Sequence, residues 1–204
     1  MISQPLKLGF LASGAGSSAQ AIVAAIEAGR LAAEPRLMIS NNKTAEALAF
    51  AAAHGMAALC IPTQADPLAA DERLVDALTS HGVELIVLSG YLRQLGPVTL
   101  GRYAGRVLNI HPGPLPQFGG HGMYGRRVHE AVLASGALES GVCIHVVDEE
   151  YDRGPVIARR SVEVRPGDTP ESLEARVRAL EPGFFVETLR RIAEGSLKLP
   201  AGSA

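Results

Sequence analysis

Short apolar runs that alternate with helical patterns constrain this chain more than any other feature of its sequence. Runs typical of buried strands fall at 7–12, 36–40, 57–61, 84–90 and 106–110. Helical patterns separate them at 17–29, 44–55, 68–82 and 96–103. A repeated strand–helix–strand order needs crossover connections, so it predicts a mostly parallel sheet with helices on both faces.

The last third of the chain follows a different pattern. Residues 140–164 contain two strand-like runs joined by an acidic turn, which predicts an antiparallel strand pair. Residues 169–195 predict a long helix. The sequence therefore predicts an α/β fold, with a single doubly wound domain over residues 1–204 that ends in the antiparallel strand pair and the long C-terminal helix.

Threonine, glycine and proline residues predict where several of these elements begin, end or bend. We expect Thr44 and Gly55 to cap the two ends of the second helix, and Thr169 to be the N-cap of the last one. Pro182 and Gly183 are expected to kink or interrupt that last helix. The stretch at 113–125, GPLPQFGGHGMYG, is too rich in glycine for packed structure, so we expect a lid or binding loop there.

Composition excludes several classes of function. The chain has 204 residues, enough for one core, and its net charge of −2 predicts no nucleic-acid partner. Cys60 and Cys143 are far apart, and no pair of histidines, His145 included, has zinc-ligand spacing, so we expect neither a disulfide framework nor a metal. No stretch is long and apolar enough for a membrane span. The apolar run near the start of the sequence is too short for the core of a signal peptide. We therefore expect a cytoplasmic protein.

A glycine-rich turn follows the first predicted strand. Gly14, Gly16, Ser17 and Ser18 lie where a helix begins, and the free N–H groups of a helix start can bind a phosphate or carboxylate. A plain strand–helix turn explains these residues at least as well. The dinucleotide fingerprint is incomplete, because Ala19 occupies its last glycine position and no acidic residue ends the second strand, so NAD binding is weakly supported.

Asn109 and His111 stand two residues apart near the end of the fifth predicted strand, so their side chains point to the same side. An amide and an imidazole that face one reacting atom suit stabilisation of an oxyanion. From the residues alone, a hydrogen-bonded structural role for His111 is favoured. A nearby carboxylate would raise the pKa of the imidazole, and spacing does not choose among the acidic residues of the later turn, which are Asp148, Glu149, Glu150 and Asp152.

Five segments stand in the order and spacing of one known family: LASGAGSSAQAI, VLSGYLRQL, LNIHPGPLP, GMYGRRVHEAVLASG and YDRGPVI. From about residue 7 to about residue 195 the chain resembles the phosphoribosylglycinamide formyltransferases, a folate-dependent family of purine synthesis. The resemblance implies a Rossmann-like formyltransferase fold, 10-formyltetrahydrofolate as co-substrate and no metal. It also implies small-molecule partners and a monomer or homodimer. Methionyl-tRNA formyltransferase and formyltetrahydrofolate deformylase, which look similar, each carry an additional domain.

The resemblance assigns roles residue by residue. It implies catalysis by Asn109, His111 and Asp152, phosphate binding by Gly16, Ser17 and Ser18, and contact between Glu181 and the glycinamide substrate. It implies folate binding by Leu92, Arg93, Gln94, Leu95, Asn109, Val147, Asp148 and Glu149.

The same resemblance implies a mechanism. The amine of the glycinamide attacks the formyl carbon, and Asn109 and protonated His111 stabilise the resulting oxyanion. Asp152 is expected to raise the pKa of His111 so that imidazolium is available near neutral pH. The chain departs from the family pattern at Ser18, where many relatives have asparagine, and at Gly113 and Pro114. Early in the third predicted helix it also lacks the arginine with which many relatives can meet the folate tail.

Three other activities are compatible with these residues. A hydrolase could use the same residues to pass the formyl group to water. A formyltransferase could act on another amine, such as an amino sugar nucleotide. A noncatalytic or oxidoreductase nucleotide-binding domain would need only the glycine turn.

Overall fold

The computed structural model describes residues 4–200, so the ends of the predicted domain, 1–3 and 201–204, lie outside the described residues. The strands are β1 (Leu6–Ala12), β2 (Ala33–Ser40), β3 (Ala57–Cys60), β4 (Leu85–Leu88), β5 (Val107–His111), β6 (Glu139–Val146) and β7 (Val156–Glu163). The helices are α1 (Ser17–Glu27), α2 (Glu46–Ala53), α3 (Pro67–Ser80), α4 (Pro97–Arg102), α5 (Arg126–Ala134) and α6 (Pro170–Ala193).

The strands form one seven-stranded sheet in the order β3-β2-β1-β4-β5-β6-β7. The pairs from β3 to β5 are parallel, and the pairs β5–β6 and β6–β7 are antiparallel. The predicted α/β fold is confirmed, including the antiparallel strand pair and the long C-terminal helix.

Both faces of the sheet are covered, which explains why the first strands read as continuous apolar runs. On one face, Phe10 belongs to a buried cluster with Ile22 of α1 and Phe185 of α6. On the other face, Leu11 belongs to a second cluster with Leu78 of α3. Successive residues of β1 therefore pack into different cores, and the strand is held on both sides.

The predicted helix ends are correct in part. Thr169 caps α6 as expected and shares a reciprocal capping box with Ser172. The prediction for Thr44 is wrong: the N-cap of α2 is Ala45, because the amide and hydroxyl of Thr44 both donate to Oδ1 of Asn42 in the preceding turn.

The expected interruption of the last helix is also wrong, because α6 runs unbroken from Pro170 to Ala193 with Pro182 inside it. A proline in a helix removes one backbone donor. Phe184, Phe185 and Leu189, all buried just beyond it, hold the following turns on the core.

The segment 113–125 is more ordered than its glycine content predicts. Leu115 and Phe118 are buried, and the amide of Phe118 donates to the carbonyl of Pro114 in a turn. Helix α5 follows at Arg126, an element that the sequence patterns left unassigned. No helix within residues 4–200 is long and apolar enough to cross a membrane.

Gly154, in the turn between β6 and β7, provides a test of backbone packing. A Cβ at this position would collide with the carbonyl oxygen of Val146, whereas a Cβ at Gly183 in α6 would meet nothing within 4 Å. We predict that Gly154→Ala lowers the free energy of unfolding by about 1–3 kcal/mol, as overpacking does. Gly183→Ala, the matched control, should raise it by about 0.5–1 kcal/mol. Urea denaturation measures both, and an unchanged midpoint for Gly154→Ala would contradict the prediction.

Candidate active site

The carboxyl ends of β1, β4 and β5 lie side by side, because β4 pairs in parallel with both of its neighbours. Ligands of open parallel sheets bind beyond this edge. The three segments that leave these strands are the glycine turn at 13–18, the segment at 89–95 and the segment that starts at Asn109.

Asn109 and His111 project from β5 against the antiparallel strand β6. Asn109 stands opposite His145 in the register, and its Nδ2 lies 3.2 Å from Nε2 of His145. The side chain of His111 is 3% exposed, and its Nε2 lies 2.7 Å from the carbonyl oxygen of Phe118. We assign the Nε2 proton to this bond, because a carbonyl can only accept.

Asp152 is the carboxylate that reaches the two histidines. Its Oδ2 lies 3.5 Å from Nδ1 of His111, and its Oδ1 lies 3.4 Å from Nε2 of His145. The backbone N–H of Gly120 donates to Oδ2 over 3.0 Å. Spacing alone left four acidic residues open, and of these the exposed Asp148 instead accepts from the amide of Glu150 within its own turn.

The backbone around Asp152 is shaped to allow this approach. Asp152 has a φ of 58°, in the left-handed region that aspartate tolerates better than most residues. A Cβ on Gly119 would come within 2.8 Å of the Cβ of Asp152, so the close contact between the two segments requires glycine.

His145 is the site residue that sequence reasoning missed. The sequence excludes it from a zinc site and gives it no other role, yet it is 2% exposed and contacts both Asn109 and Asp152. The signal that could have found it is the antiparallel pairing of β5 with β6, which places it opposite Asn109. That register is a contact between distant parts of the chain and is not visible in local patterns.

Burial and the neighbouring polar groups act in opposite directions on the pKa values of His111 and Asp152. Burial lowers the pKa of His111 below its ordinary value, although Asp152 and the Phe118 carbonyl act to raise it. The expectation that Asp152 keeps the imidazole protonated near neutral pH is therefore wrong for the ligand-free protein, because desolvation outweighs the carboxylate. Burial also acts to raise the pKa of Asp152, but the two histidines and the Gly120 amide prevail and lower it.

The glycine turn has the features of an anion site at the start of α1. Gly16 has a φ of 68° and provides no side-chain cap. The amide of Ala19 donates to Oγ of Ser89, and that of Gln20 donates to the Gly16 carbonyl. The amides of Ser17 and Ser18 stand ahead of these bonds, at the position where a helix start binds an anion.

The two segments expected to bind folate meet each other. Nε2 of Gln94 donates to the carbonyl of Glu149 over 3.1 Å, which joins the 92–95 segment to the 147–149 segment. Leu92 is 71% exposed, and Leu95 is buried. A cavity of about 450 Å³ borders this region and is lined by Ser13, Asn41, Asn42, Lys43, Cys60, Pro62, Thr63, Gln64, Leu92 and Arg93.

Glu181 lies on α6 and is partly buried. Burial raises the pKa of its carboxyl to about 7, Arg178 opposes that rise, and Glu174 adds to it. None of the hydrogen bonds described within residues 4–200 joins Glu181 to Asn109, His111 or Asp152. In the same part of the chain, no group of three or more histidine, cysteine, aspartate or glutamate residues is arranged to hold a metal ion.

Comparison with known proteins identifies the class. A family profile described as formyl transferase matches residues 6–189, and the chain belongs to this family. It is 39% identical over 196 residues to a chloroplastic phosphoribosylglycinamide formyltransferase of Arabidopsis thaliana, covering 94% of this chain and 67% of that protein.

Two further relatives carry the same name. The phosphoribosylglycinamide formyltransferase of Escherichia coli K12 is 33% identical over 196 residues, with 95% of this chain and 90% of that protein covered. The solved structure of phosphoribosylglycinamide formyltransferase from Coxiella burnetii superposes with a TM-score of 0.87 at 36% identity, covering 97% of this chain and 92% of that one.

The lowered pKa of His111 predicts a loss of stability in acid. In the unfolded chain the His111 imidazole binds a proton at about pH 6.5, whereas in the folded protein it binds that proton less readily. The contribution of neutral His111 to stability is therefore complete above that pH and is lost as the pH falls below it. Burial lowers the pKa of His129 in the same way. We predict that each of these histidines lowers the free energy of unfolding between about pH 7.5 and 5, by up to ~1.4 kcal/mol per pH unit. Glu181 contributes in the opposite direction, because its raised pKa stabilises the folded protein as the pH falls.

Urea denaturation across this range measures the slope. His129→Asn should reduce the stability lost on going from pH 7.5 to 5, and His121→Asn, which removes an exposed histidine of the loop, serves as the control. A slope in His129→Asn equal to that of the unsubstituted protein would contradict the prediction.

Proposed function

We propose that this protein transfers the formyl group of 10-formyltetrahydrofolate to the amine of 5'-phosphoribosylglycinamide. Its membership of the formyl transferase family and the shared name of the Arabidopsis and Escherichia coli relatives support the proposal. The observation that carries it is the 3.5 Å approach of Asp152 Oδ2 to Nδ1 of His111, on the strand that also carries Asn109.

In this proposal Asn109, His111 and Asp152 are the catalytic residues. The substrate amine attacks the formyl carbon, a C–N bond forms, and the formyl oxygen becomes an oxyanion. The Nδ2 group of Asn109 donates a hydrogen bond to that oxygen. The oxyanion adds a negative charge beside His111, and a negative neighbour favours imidazolium, so the imidazole can hold the proton that the attacking amine loses.

Collapse of the tetrahedral centre completes the exchange. The bond between the formyl carbon and N10 of the folate breaks, and the proton held by His111 passes to N10. Asp152 stabilises the imidazolium while it exists. Because His111 is mainly neutral in the ligand-free protein, this attraction is strongest at the charged transition state, which is where an interaction accelerates a reaction.

The remaining assigned residues hold the two substrates. Gly16, Ser17 and Ser18 bind the ribose phosphate through backbone N–H groups, and Glu181 contacts the glycinamide. The folate lies along Leu92, Arg93, Gln94 and Leu95 and against Val147, Asp148 and Glu149. The chemistry needs no metal, the partners are small molecules, and we expect a cytoplasmic monomer or homodimer built from one domain.

Two other activities share the formyl donor and differ in the acceptor, which is water for a hydrolase and another amine for a related transferase. Formation of tetrahydrofolate, followed by absorbance against a panel of amines, separates them. Transfer to 5'-phosphoribosylglycinamide well above the rest supports the proposal. Formate release at the same rate with and without that amine would identify a hydrolase.

We predict that His111→Ala slows transfer by roughly 10²- to 10⁴-fold, the usual scale for loss of a general acid or oxyanion donor. The reason is the position of His111 beside Asn109 and Asp152. Steady-state rates of the purified variant measure this, with His121→Ala as the control for loss of an exposed histidine. Near-normal turnover of folded His111→Ala would remove His111 from the catalytic group.

We predict that Asp152→Asn shifts the acid limb of the pH–rate profile to lower pH. In the proposed mechanism neutral His111 takes the proton from the amine, so the rate falls at the pH where His111 is already protonated. Asp152 acts to raise the pKa of His111, so removing its charge lowers the pH at which this fall begins. Glu150→Gln is the matched control, since its exposed carboxylate is screened by solvent. If Glu150→Gln shifts the limb and Asp152→Asn does not, the assignment of Asp152 is wrong.

A further inference from the structure

The glycine turn and the 89–95 segment are joined by hydrogen bonds that cross between them. The amide of Ser13 donates to the carbonyl of Gly90 over 3.1 Å. The amide of Leu92 donates to Oγ of Ser13 over 2.8 Å. The amide of Ala19 donates to Oγ of Ser89 over 3.0 Å.

Ser13 belongs to the turn after β1, but its hydroxyl accepts a hydrogen bond from the segment after β4. The hydroxyl proton is committed to Oδ1 of Asn41, 2.6 Å away, so a lone pair of the oxygen is free to accept the N–H of Leu92. Leu92 is the first residue of the 92–95 segment, and its exposed side chain contributes little packing there. The bond to Ser13 therefore fixes where this segment begins.

Ser89, in turn, accepts a hydrogen bond from the helix that follows the glycine turn. It follows β4 directly, is 3% exposed, and accepts from the amide of Ala19 in the first turn of α1. A helix start of this kind is usually capped by the residue at its own N-cap. Here the N-cap is Gly16, which has no side chain, so Ser89 provides the cap from another part of the chain.

We infer that Ser13 and Ser89 are positioning residues that act crosswise. Ser13, in the turn assigned to the phosphate, holds the segment assigned to the folate, and Ser89, beside the folate segment, holds the helix turn assigned to the phosphate. This inference rests on the proposed function. Neither serine is a catalytic residue, because each acts through a backbone amide of the other segment.

A purely structural role predicts a different result from the crossed arrangement. If the two serines only stiffen this edge of the sheet, removing either hydroxyl will weaken both substrates together. If they act crosswise, each substitution will mainly weaken the substrate bound by the opposite segment. Steady-state kinetics with both substrates varied distinguish the two cases.

The test uses Ser13→Ala and Ser89→Ala in the full-length protein. Loss of one hydrogen bond corresponds to roughly a 3- to 10-fold change. Ser13→Ala should raise the KM for 10-formyltetrahydrofolate by this factor, with little change in the KM for the ribonucleotide. Ser89→Ala should raise the KM for the ribonucleotide and weaken competitive inhibition by inorganic phosphate, with little change in the KM for the folate.

Two further variants serve as controls. Ser13→Thr keeps the hydroxyl and should restore the KM for the folate. Ser135→Ala removes a serine that also makes two hydrogen bonds, to the carbonyl of Val132 and from the amide of Ala137, but at the end of α5. It should leave both KM values unchanged.

Equal changes in both KM values, no change in either, or a reversed pattern would overturn the inference. These outcomes are distinct from failure of the proposed function, in which the unsubstituted protein does not transfer formyl to the ribonucleotide. If the unsubstituted protein transfers formyl but the KM changes of Ser13→Ala and Ser89→Ala do not follow the crosswise pattern, only the crosswise arrangement is overturned.

Discussion

The pairing of β4 with both β1 and β5 is the constraint on which the candidate site depends. Leu88 of β4 stands opposite Leu11 on one side and Asn109 on the other, so the three strands end at nearly the same level. Segments that are far apart in the sequence therefore leave the sheet as neighbours. The parallel arrangement is stable because helices cover both faces, and the strands need no polar surface of their own.

At the carboxyl ends of these strands, two electrostatic effects act in opposite directions on the pKa of His111. Burial makes a charged imidazole costly at His111, and Asp152 partly offsets that cost. Burial prevails in the ligand-free protein, so in the proposed mechanism the attraction between His111 and Asp152 becomes strong only when negative charge forms beside the imidazole. An exposed histidine would gain less from the same carboxylate, because water would screen the interaction.

Sequence patterns predicted the sheet and its covering helices because burial of both faces leaves a local signature in β1 and β4. The approach of Asp152 to His111 followed from resemblance and not from spacing, which left its acidic neighbours equally eligible. His145 and Ser89 escaped prediction because their partners, Asn109 and Ala19, are distant in the chain. Thr44 was misplaced because a local turn competes for its hydroxyl. Helix α5 was overlooked because a glycine-rich segment precedes it.

One loop contributes a backbone group to each member of the His111–Asp152 pair. The carbonyl of Phe118 accepts from the imidazole, and the N–H of Gly120 donates to the carboxylate. Displacing this loop would withdraw an acceptor from one residue and a donor from the other, and would admit water to both. Proton binding at the pair and closure of the loop are thus thermodynamically linked. A ligand that changes the charge beside His111 therefore also changes the free energy of displacing the loop, whether or not it touches the loop.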